Sequence, residues 1–304
     1  MSVAVKKLLF LYNPRLDKAE PYARDLARSL SSPALEIHVE SVWDEPVVKN
    51  EAPGAAFAVT FGGDGTVLRA ARIVAPIGTP LVGVNLGKLG FLTELGPKEA
   101  ERKVPQFVQG RYWVEERLML AITIDRAAKE AKGEWVSPER RVDELLAIND
   151  VVAGRAALAR AVDINVWIDD VFLSSYVADG LIVSTATGST AYSLAAGGPI
   201  LHPQLENLLL TPILPHLGSR YPLVLPPGVS IRIEVVTSHQ AGITVDGQVE
   251  TPLYNGDLVS ITAAPQRVRF LRAQPRTYFY RSMSRRLKRE ETRDRPSSDQ
   301  AADP

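Results

Sequence analysis

The chain has 304 residues, 45% of them hydrophobic, which is enough for one large domain or two of ordinary size. Its 35 Lys and Arg residues balance 35 Asp and Glu residues, so it lacks the basic excess of nucleic-acid-binding proteins. It has no cysteine, which excludes disulfides, thiol nucleophiles and cysteine-ligated metal sites and favours a cytoplasmic location.

Residues 1–95 alternate strand and helix patterns, which predicts an α/β domain with a parallel, Rossmann-like sheet. The apolar run Leu8–Tyr12 is too short for a signal peptide or a membrane span, so we interpret Val5–Tyr12 as a buried first strand. The next predicted elements are helix Ala19–Leu30, strands Leu35–Val42 and Ala55–Phe61, helix Thr66–Ala75 and strand Pro80–Val84.

After about residue 96 the pattern changes to short alternating segments, which predicts an all-β, sandwich-like domain. Asp246-Gly247 between two such segments is typical of a hairpin turn. The tail, residues 289–304, is predicted to be disordered. Predicted strands of this part include Val162–Ile168, Val171–Leu173, Leu181–Val183, Ile231–Val235, Ile243–Val245, Leu258–Ile261 and Val268–Leu271.

The sequence GGDGT follows a predicted strand and begins a predicted helix, at the strand end where parallel sheets bind ligands. Gly62, Gly63 and Gly65 let backbone N–H groups approach phosphate oxygens, and Thr66 is in a position to cap the helix. Asp64 would repel a phosphate unless it met a metal or a hydroxyl proton, which makes it a candidate general base. A tight turn explains these residues equally well.

A second loop, TATGSTAYS at residues 185–193, concentrates hydroxyl and small side chains that suit a ribose, an amide or a base edge. A helix start rich in serine and threonine explains it as well. Each shorter feature is by itself an ordinary turn or core residue, namely Phe91, Asn149-Asp150, Asp179-Gly180 and Asp246-Gly247-Gln248.

Taken together and in order, GGDGTVLRAAR, VNLGKLGFLTEL, Asn149-Asp150, DGLIVSTATGSTAYSLAAGGPIL and VDGQ resemble the NAD kinase family. GGDGT alone is moderately specific, because lipid kinases and phosphofructokinases carry related loops, whereas TGSTAYSLAAGGP beside it is highly specific. The resemblance extends from about Phe57 to Gln248. It implies transfer of the γ-phosphoryl group of ATP to the 2′-hydroxyl group of the adenosine ribose of NAD.

The resemblance also implies roles for individual residues. Asp64 is the implied general base, and the implied phosphate loop is Gly62, Gly63, Gly65 and Thr66. No metal held by the protein alone is expected, because magnesium uses few protein ligands and would bind through the ATP phosphates. The implied NAD contacts are Asp64, Gly65, Arg69, Phe91, Asn149, Asp150, Asp179, Thr190, Ala191, Tyr192, Ser193 and Gln248.

By the same resemblance, residues 1–95 and about 269–288 form the donor-binding domain, and residues 96–268 form the NAD-binding domain. A homodimer or homotetramer is implied, and no membrane or nucleic-acid partner is expected. Val177 departs from the arginine or small residue that the family frequently has two positions before the Asp-Gly step, which leaves NAD or NADH open as substrate. ATP or polyphosphate stays open as donor.

Two other interpretations remain. A lipid or sugar kinase would share the phosphate loop, although the chain lacks the second Gly-Thr-Gly-Asn loop common in lipid kinases. A dinucleotide-binding sensor would bind NAD or NADP without consuming ATP, but it would have no need of the Asp64 carboxylate inside a phosphate loop.

Overall fold

The computed structural model describes residues 6–87, 90–126, 142–155, 161–237, 240–281 and 283–284. The tail predicted to be disordered, residues 289–304, lies outside the described residues, as does part of the predicted return segment 269–288. Within the described ranges, no helix has both the length and the apolar character needed to span a membrane.

The N-terminal part has the predicted α/β architecture. Its parallel strands have the order β2-β1-β3-β4, with α1 and α4 packed on one face and α2 and α3 on the other. Because both faces are covered, the last six residues of β3 are all buried. The elements are β1 (Lys6–Tyr12), α1 (Ala19–Leu30), β2 (Leu35–Ser41), α2 (Glu45–Glu51), β3 (Ala55–Gly62), α3 (Asp64–Val74), β4 (Leu81–Asn85) and α4 (Pro97–Val108).

The C-terminal part is a sandwich of two antiparallel layers, as the alternating segments predict. Apolar residues of both layers form one core, and in β13 Ile231, Ile233 and Val235 are buried while the residues between them are not. The elements are β5 (Trp113–Asp125), β6 (Val142–Ala147), β7 (Asp150–Arg155), β8 (Val162–Ile168), β9 (Val171–Ala178), β10 (Gly180–Thr185), α5 (Tyr192–Ala195), β11 (Leu208–Ile213), β12 (Leu223–Leu225), β13 (Ile231–Val236), β14 (Ala241–Val245), β15 (Val249–Leu253) and β16 (Leu258–Arg272).

One layer of the sandwich is a six-stranded sheet of order β12-β11-β10-β7-β14-β15. The other layer continues the parallel sheet through β16, which pairs in parallel with β4 and antiparallel with β5 and β13. The prediction of two short strands here is wrong, because a register irregularity between Ala263 and Arg267 breaks the alternation without ending the strand.

The ten-stranded sheet runs through both parts of the chain, so it marks no boundary between the two predicted domains. The predicted domain limits therefore stay a prediction. Helix α4 begins after residue 95, yet its buried side chains Ala100, Val104 and Phe107 pack into the same core as β1 and α1. The α/β layer therefore uses residues on both sides of the predicted limit.

We expect Phe270→Ala to lower the free energy of unfolding by about 3–5 kcal/mol, because the ring is fully buried in β16, the strand common to both parts. Phe172→Ala is the matched control, since that ring is 54% exposed on β9, and we expect less than about 1 kcal/mol. Urea unfolding measures both, and equal losses would contradict the buried position of Phe270.

Candidate functional site

The glycine-rich loop lies where β3 ends and α3 begins. Gly62 is the last residue of β3, and Gly63 is the N-cap of α3 in an extended conformation. The prediction that Thr66 caps this helix is wrong, because the helix begins at Asp64 and Thr66 lies in its first turn. Thr66 is buried, and its Oγ1 accepts a hydrogen bond from Asn13 Nδ2 at 3.1 Å.

The Asp64 carboxylate is held by the loop that follows β4. The backbone N–H groups of Phe91, Leu92 and Thr93 donate to it at 2.6, 3.1 and 3.2 Å. Gly90 is needed beside it, since a Cβ there would overlap the carboxylate. An ionised carboxylate has about four acceptor positions, so about one remains for a hydroxyl group.

A chain of polar contacts joins α3 to the hairpin formed by β14 and β15. Gln248 Nε2 donates to the carbonyl oxygen of Gly65 at 2.7 Å, and Gln248 Oε1 accepts from Arg72 at 2.7 Å. Arg72 also pairs with Asp246 at 3.0 Å. The predicted Asp246-Gly247 turn is confirmed, with both residues at positive φ.

Asp246 also orders the Asn149-Asp150 pair. Its Oδ1 accepts the backbone N–H groups of Asn149 at 2.8 Å and Asp150 at 3.3 Å. The Asn149 carbonyl oxygen accepts from the Thr185 backbone at 2.9 Å and occupies the space that a Cβ on Gly188 would need. The pair is thus packed directly against the hydroxyl-rich loop.

Asp150 and Asp246 form a pair of buried acidic groups. Burial, and after it the Asp246 carboxylate, raise the pKa of Asp150 to about 7, against the lowering effect of the Tyr192 backbone N–H. Burial also raises the pKa of Asp246, although the Asn149 backbone N–H and Arg72 oppose it. Protonation of this pair is therefore coupled and extends toward neutral pH.

The hydroxyl-rich loop forms a 3₁₀ turn, Gly188–Thr190, and then α5, whose N-cap is Ala191. Tyr192 is 48% exposed and borders a groove of about 1040 Å³ on the six-stranded sheet, which Asp179 also lines. Ser193, in contrast, is fully buried.

The Asp179 carboxylate and the Ser193 hydroxyl have different partners. Asp179 forms an ion pair with Arg155 at 2.9 Å. Ser193 Oγ lies 3.0 Å from Thr211 Oγ1, so that its hydroxyl is used inside the protein. Val177 lies on β9, half-buried, and its backbone pairs with Leu217.

Two arginines lie beside the glycine-rich loop. The guanidinium groups of Arg15 and Arg69 stack on the Trp43 ring, 4.1 and 4.0 Å from its centroid. Burial, and after it the charge of Arg72, lower the pKa of Arg69. Arg15, Trp43 and Arg69 border a cavity of about 410 Å³ together with Gly63, Gly65, Thr66 and Gln248.

The predicted residues thus fall into three neighbouring sets. The first surrounds the start of α3, the second is the Asn149-Asp150 pair with the turn before α5, and the third is the groove beside Asp179. Asp246 and Arg72 connect the first two sets, and sequence reasoning missed both as site residues because they lie 174 residues apart. It also missed Arg15 and Trp43, which a comparison of the ends of β1 and β2 with GGDGT would have indicated.

Metal ligands are a separate question. The side chains placed in the described ranges include no group of three or more His, Asp or Glu that is able to hold a metal ion.

Phe91 is half-buried and borders a small cavity of about 50 Å³ beside Arg117 and Arg272.

Two family profiles match the chain. The ATP-NAD kinase N-terminal domain matches residues 37–112, and the ATP-NAD kinase C-terminal domain matches residues 148–273. NAD kinase from Dehalococcoides mccartyi strain CBDB1 is 36% identical over 284 residues, 93% of this chain and 96% of that protein. NAD kinase from Moorella thermoacetica is 43% identical over 237 residues, 78% of this chain and 72% of that protein.

Solved structures show the same fold. Yeast NADH kinase complexed with NADH has a TM-score of 0.81 at 22% identity, covering 99% of this chain and 90% of that chain. An NAD kinase from Archaeoglobus fulgidus in complex with ATP has a TM-score of 0.70 at 24% identity, covering 91% and 97%.

Gly90→Ala is expected to displace the Asp64 carboxylate from the loop, because the new Cβ would overlap it. Loss of hydrogen bonds to a charged group should lower the free energy of unfolding by about 2 kcal/mol. Gly87→Ala, in the same loop, meets only Asn85 Oδ1 at 3.9 Å and is the control. Crystal structures and urea unfolding measure the effect, and an unmoved Asp64 in the alanine variant would contradict it.

The raised pKa of Asp150 predicts that the stability of the protein depends on pH. Since folding raises its pKa, the folded protein binds this proton more tightly, and the free energy of unfolding falls as the pH rises from about 4 to about 7. Asp150→Asn should reduce that slope by up to ~1.4 kcal/mol per pH unit. Urea unfolding across this range tests it against Asp163→Asn, an exposed control, and an unchanged slope for Asp150→Asn would refute it.

Proposed function

Because this chain belongs to the NAD kinase family, whose members are enzymes, we propose that it transfers the γ-phosphoryl group of ATP to the 2′-hydroxyl group of the adenosine ribose of NAD, giving NADP and ADP. The observation that carries the proposal is the Asp64 carboxylate, which lies at the start of α3 inside the glycine-rich loop. A carboxylate in that position serves a hydroxyl acceptor better than it serves a phosphate.

Asp64 acts as the general base in this proposal. Its free acceptor position takes the proton of the 2′-hydroxyl as that oxygen bonds to the γ-phosphorus, and the bond from the γ-phosphorus to the bridging oxygen breaks to release ADP. The three backbone donors on Asp64 support this role, because they fix the direction in which the remaining lone pair points. General-base catalysis contributes roughly 10²–10⁴-fold.

The donor phosphates are assigned to the loop of Gly62, Gly63, Gly65 and Thr66. The N-cap Gly63 makes no side-chain hydrogen bond to the first turn of α3, which favours an anion at this end of the helix, and Arg15 and Arg69 border the same cavity. Phosphoryl transfer depends mainly on position and charge neutralisation, which two stacked arginines favour. The glycine-rich loop and the two arginines could bind the phosphates of polyphosphate as well as those of ATP. The choice of ATP as the phosphoryl donor therefore stays a prediction.

Magnesium enters this scheme as part of the donor substrate. The local chemistry fits this, since Asp64 is largely occupied by backbone N–H groups and the described residues around the loop supply no carboxylate cage. Magnesium would neutralise charge on the donor phosphates.

The acceptor dinucleotide is assigned to the Asn149-Asp150 pair, the turn before α5 and the groove beside Asp179. Asn149 and Asp150 would hold ribose hydroxyls, and Asp179 with Tyr192 would border the nicotinamide end in the groove. Other proposed contacts are Gly65, Arg69, Phe91, Thr190, Ala191, Ser193 and Gln248. The buried Ser193–Thr211 contact supports an indirect role for Ser193, through the position of α5. A cytoplasmic homodimer or homotetramer stays part of the proposal.

Asp64→Asn is expected to reduce NADP formation by roughly 10²–10⁴-fold, because the amide cannot accept the proton. NAD binding measured by calorimetry should be kept. The assay contains ATP, magnesium and NAD, and an NADP-specific dehydrogenase detects the product. Asp25→Asn, an exposed substitution on α1, is the control and should retain full activity.

Full activity of Asp64→Asn would rule out this residue as the base. A wild-type protein that forms no NADP with ATP or with polyphosphate would contradict the reaction itself. Phosphorylation of a diacylglycerol or a sugar phosphate would then identify another acceptor, and NADP binding without ATP turnover would identify a sensor.

A further inference from the structure

Four charged side chains form a buried cluster between two loops of the candidate site. They are Glu94, Glu115, Arg117 and Arg272, each at most 8% exposed. Glu115 Oε2 accepts from Arg272 at 2.7 Å and from Arg117 at 2.8 Å, and Glu94 pairs with Arg272 at 3.1 Å. Two positive and two negative groups thus balance within one network.

One end of the cluster holds the loop that binds Asp64. Arg272 donates to the Leu92 carbonyl oxygen at 3.2 Å. Glu94 Oε1 accepts the backbone N–H groups of Ala273 and Gln274, both at 2.8 Å. Since the Leu92 N–H donates to Asp64, a single residue separates the end of β16 from the proposed base.

The other end holds the hydroxyl-rich loop. Arg117 Nη1 donates to Thr187 Oγ1 at 3.2 Å, and Thr187 directly precedes the turn that leads to Tyr192. The cluster therefore contacts, through continuous hydrogen bonds, the loop that orients the proposed base and the loop proposed to hold the acceptor.

Stability alone is a poor reason for such a cluster. Removing charges from water costs free energy that their attraction often fails to recover, and apolar residues frequently serve as well. Burial, and after it Arg272, lower the pKa of Arg117 to about 10, which reflects that cost. The planar fork of each guanidinium group, in contrast, fixes directions and distances.

We propose that Glu94, Glu115, Arg117 and Arg272 are positioning residues that set the separation of the Asp64 loop from the Thr187 loop. The inference rests on the proposed function, because it requires a base on one loop and a bound dinucleotide on the other. A displacement of about 1 Å in such an alignment costs on the order of 10²-fold in rate. A substitution beside the Asp64 loop should therefore change kcat, whereas a substitution beside the Thr187 loop should change the KM for NAD.

The test compares Glu94→Gln with Thr187→Val. Glu94→Gln loosens the base loop and should lower kcat per active site about tenfold or more, with the KM for NAD changed less than about twofold. Thr187→Val removes the acceptor of Arg117 and should raise the KM for NAD about fivefold or more, with little change in kcat. If Glu94→Gln does not fold, Arg272→Lys, which keeps the charge, replaces it.

Glu51→Gln is the matched control, because Glu51 is also ion-paired, with Lys7, but is half-buried and lies at the opposite end of the strands. It should change the urea midpoint without changing kcat or KM. Wild-type kcat and KM in both test variants would overturn the proposal and leave the cluster a purely structural role.

Failure of the proposed function is a separate result, since it would appear as a wild-type protein that makes no NADP. NAD affinity from calorimetry then decides the inference. Thr187→Val should still weaken NAD binding about fivefold relative to Glu51→Gln, and equal affinities would refute the positioning role.

Discussion

A single buried carboxylate joins the two parts of the candidate site. The Asp246 side chain is fully buried, accepts backbone N–H groups of residues 148–150, and forms an ion pair with Arg72 on α3. A charge is tolerated inside a protein only where it is paired and hydrogen-bonded. The α/β layer and the sandwich must therefore present their donors at one point, and this requirement fixes α3 against the six-stranded sheet.

Local patterns are enough to predict most of the elements. Helix Ala19–Leu30 and strand Val162–Ile168 have the predicted bounds. The helical spacing of apolar residues and the strict alternation of apolar with polar residues each indicate which face of the element is buried. The α/β and sandwich-like classes are confirmed for the same reason. Where the backbone is irregular, as between Ala263 and Arg267, alternation fails and the prediction of separate strands fails with it.

Partners that are distant in sequence could not be predicted. GGDGT indicates a ligand loop, but it does not show that Asp64 would bind residues 91–93, nor that Thr66 would bond to Asn13 rather than cap α3. These contacts depend on how loops from different strands meet in space. The buried charges at Glu94 and Arg272 show the same limit, because each residue alone is an ordinary charged residue in the sequence.

The pairing of β16 with β4 has a consequence for how the chain folds during synthesis. Phe270 lies opposite Leu81, about 190 residues earlier, so β16 joins the parallel sheet only after the intervening chain has been synthesised. Such non-local pairings form slowly and leave a strand edge open in the meantime. Residues 94 and 95 already bond to β4 at Gly83 and Asn85, so only the Leu81 end of β4 lacks its partner during synthesis, and chaperone binding or aggregation would concentrate there.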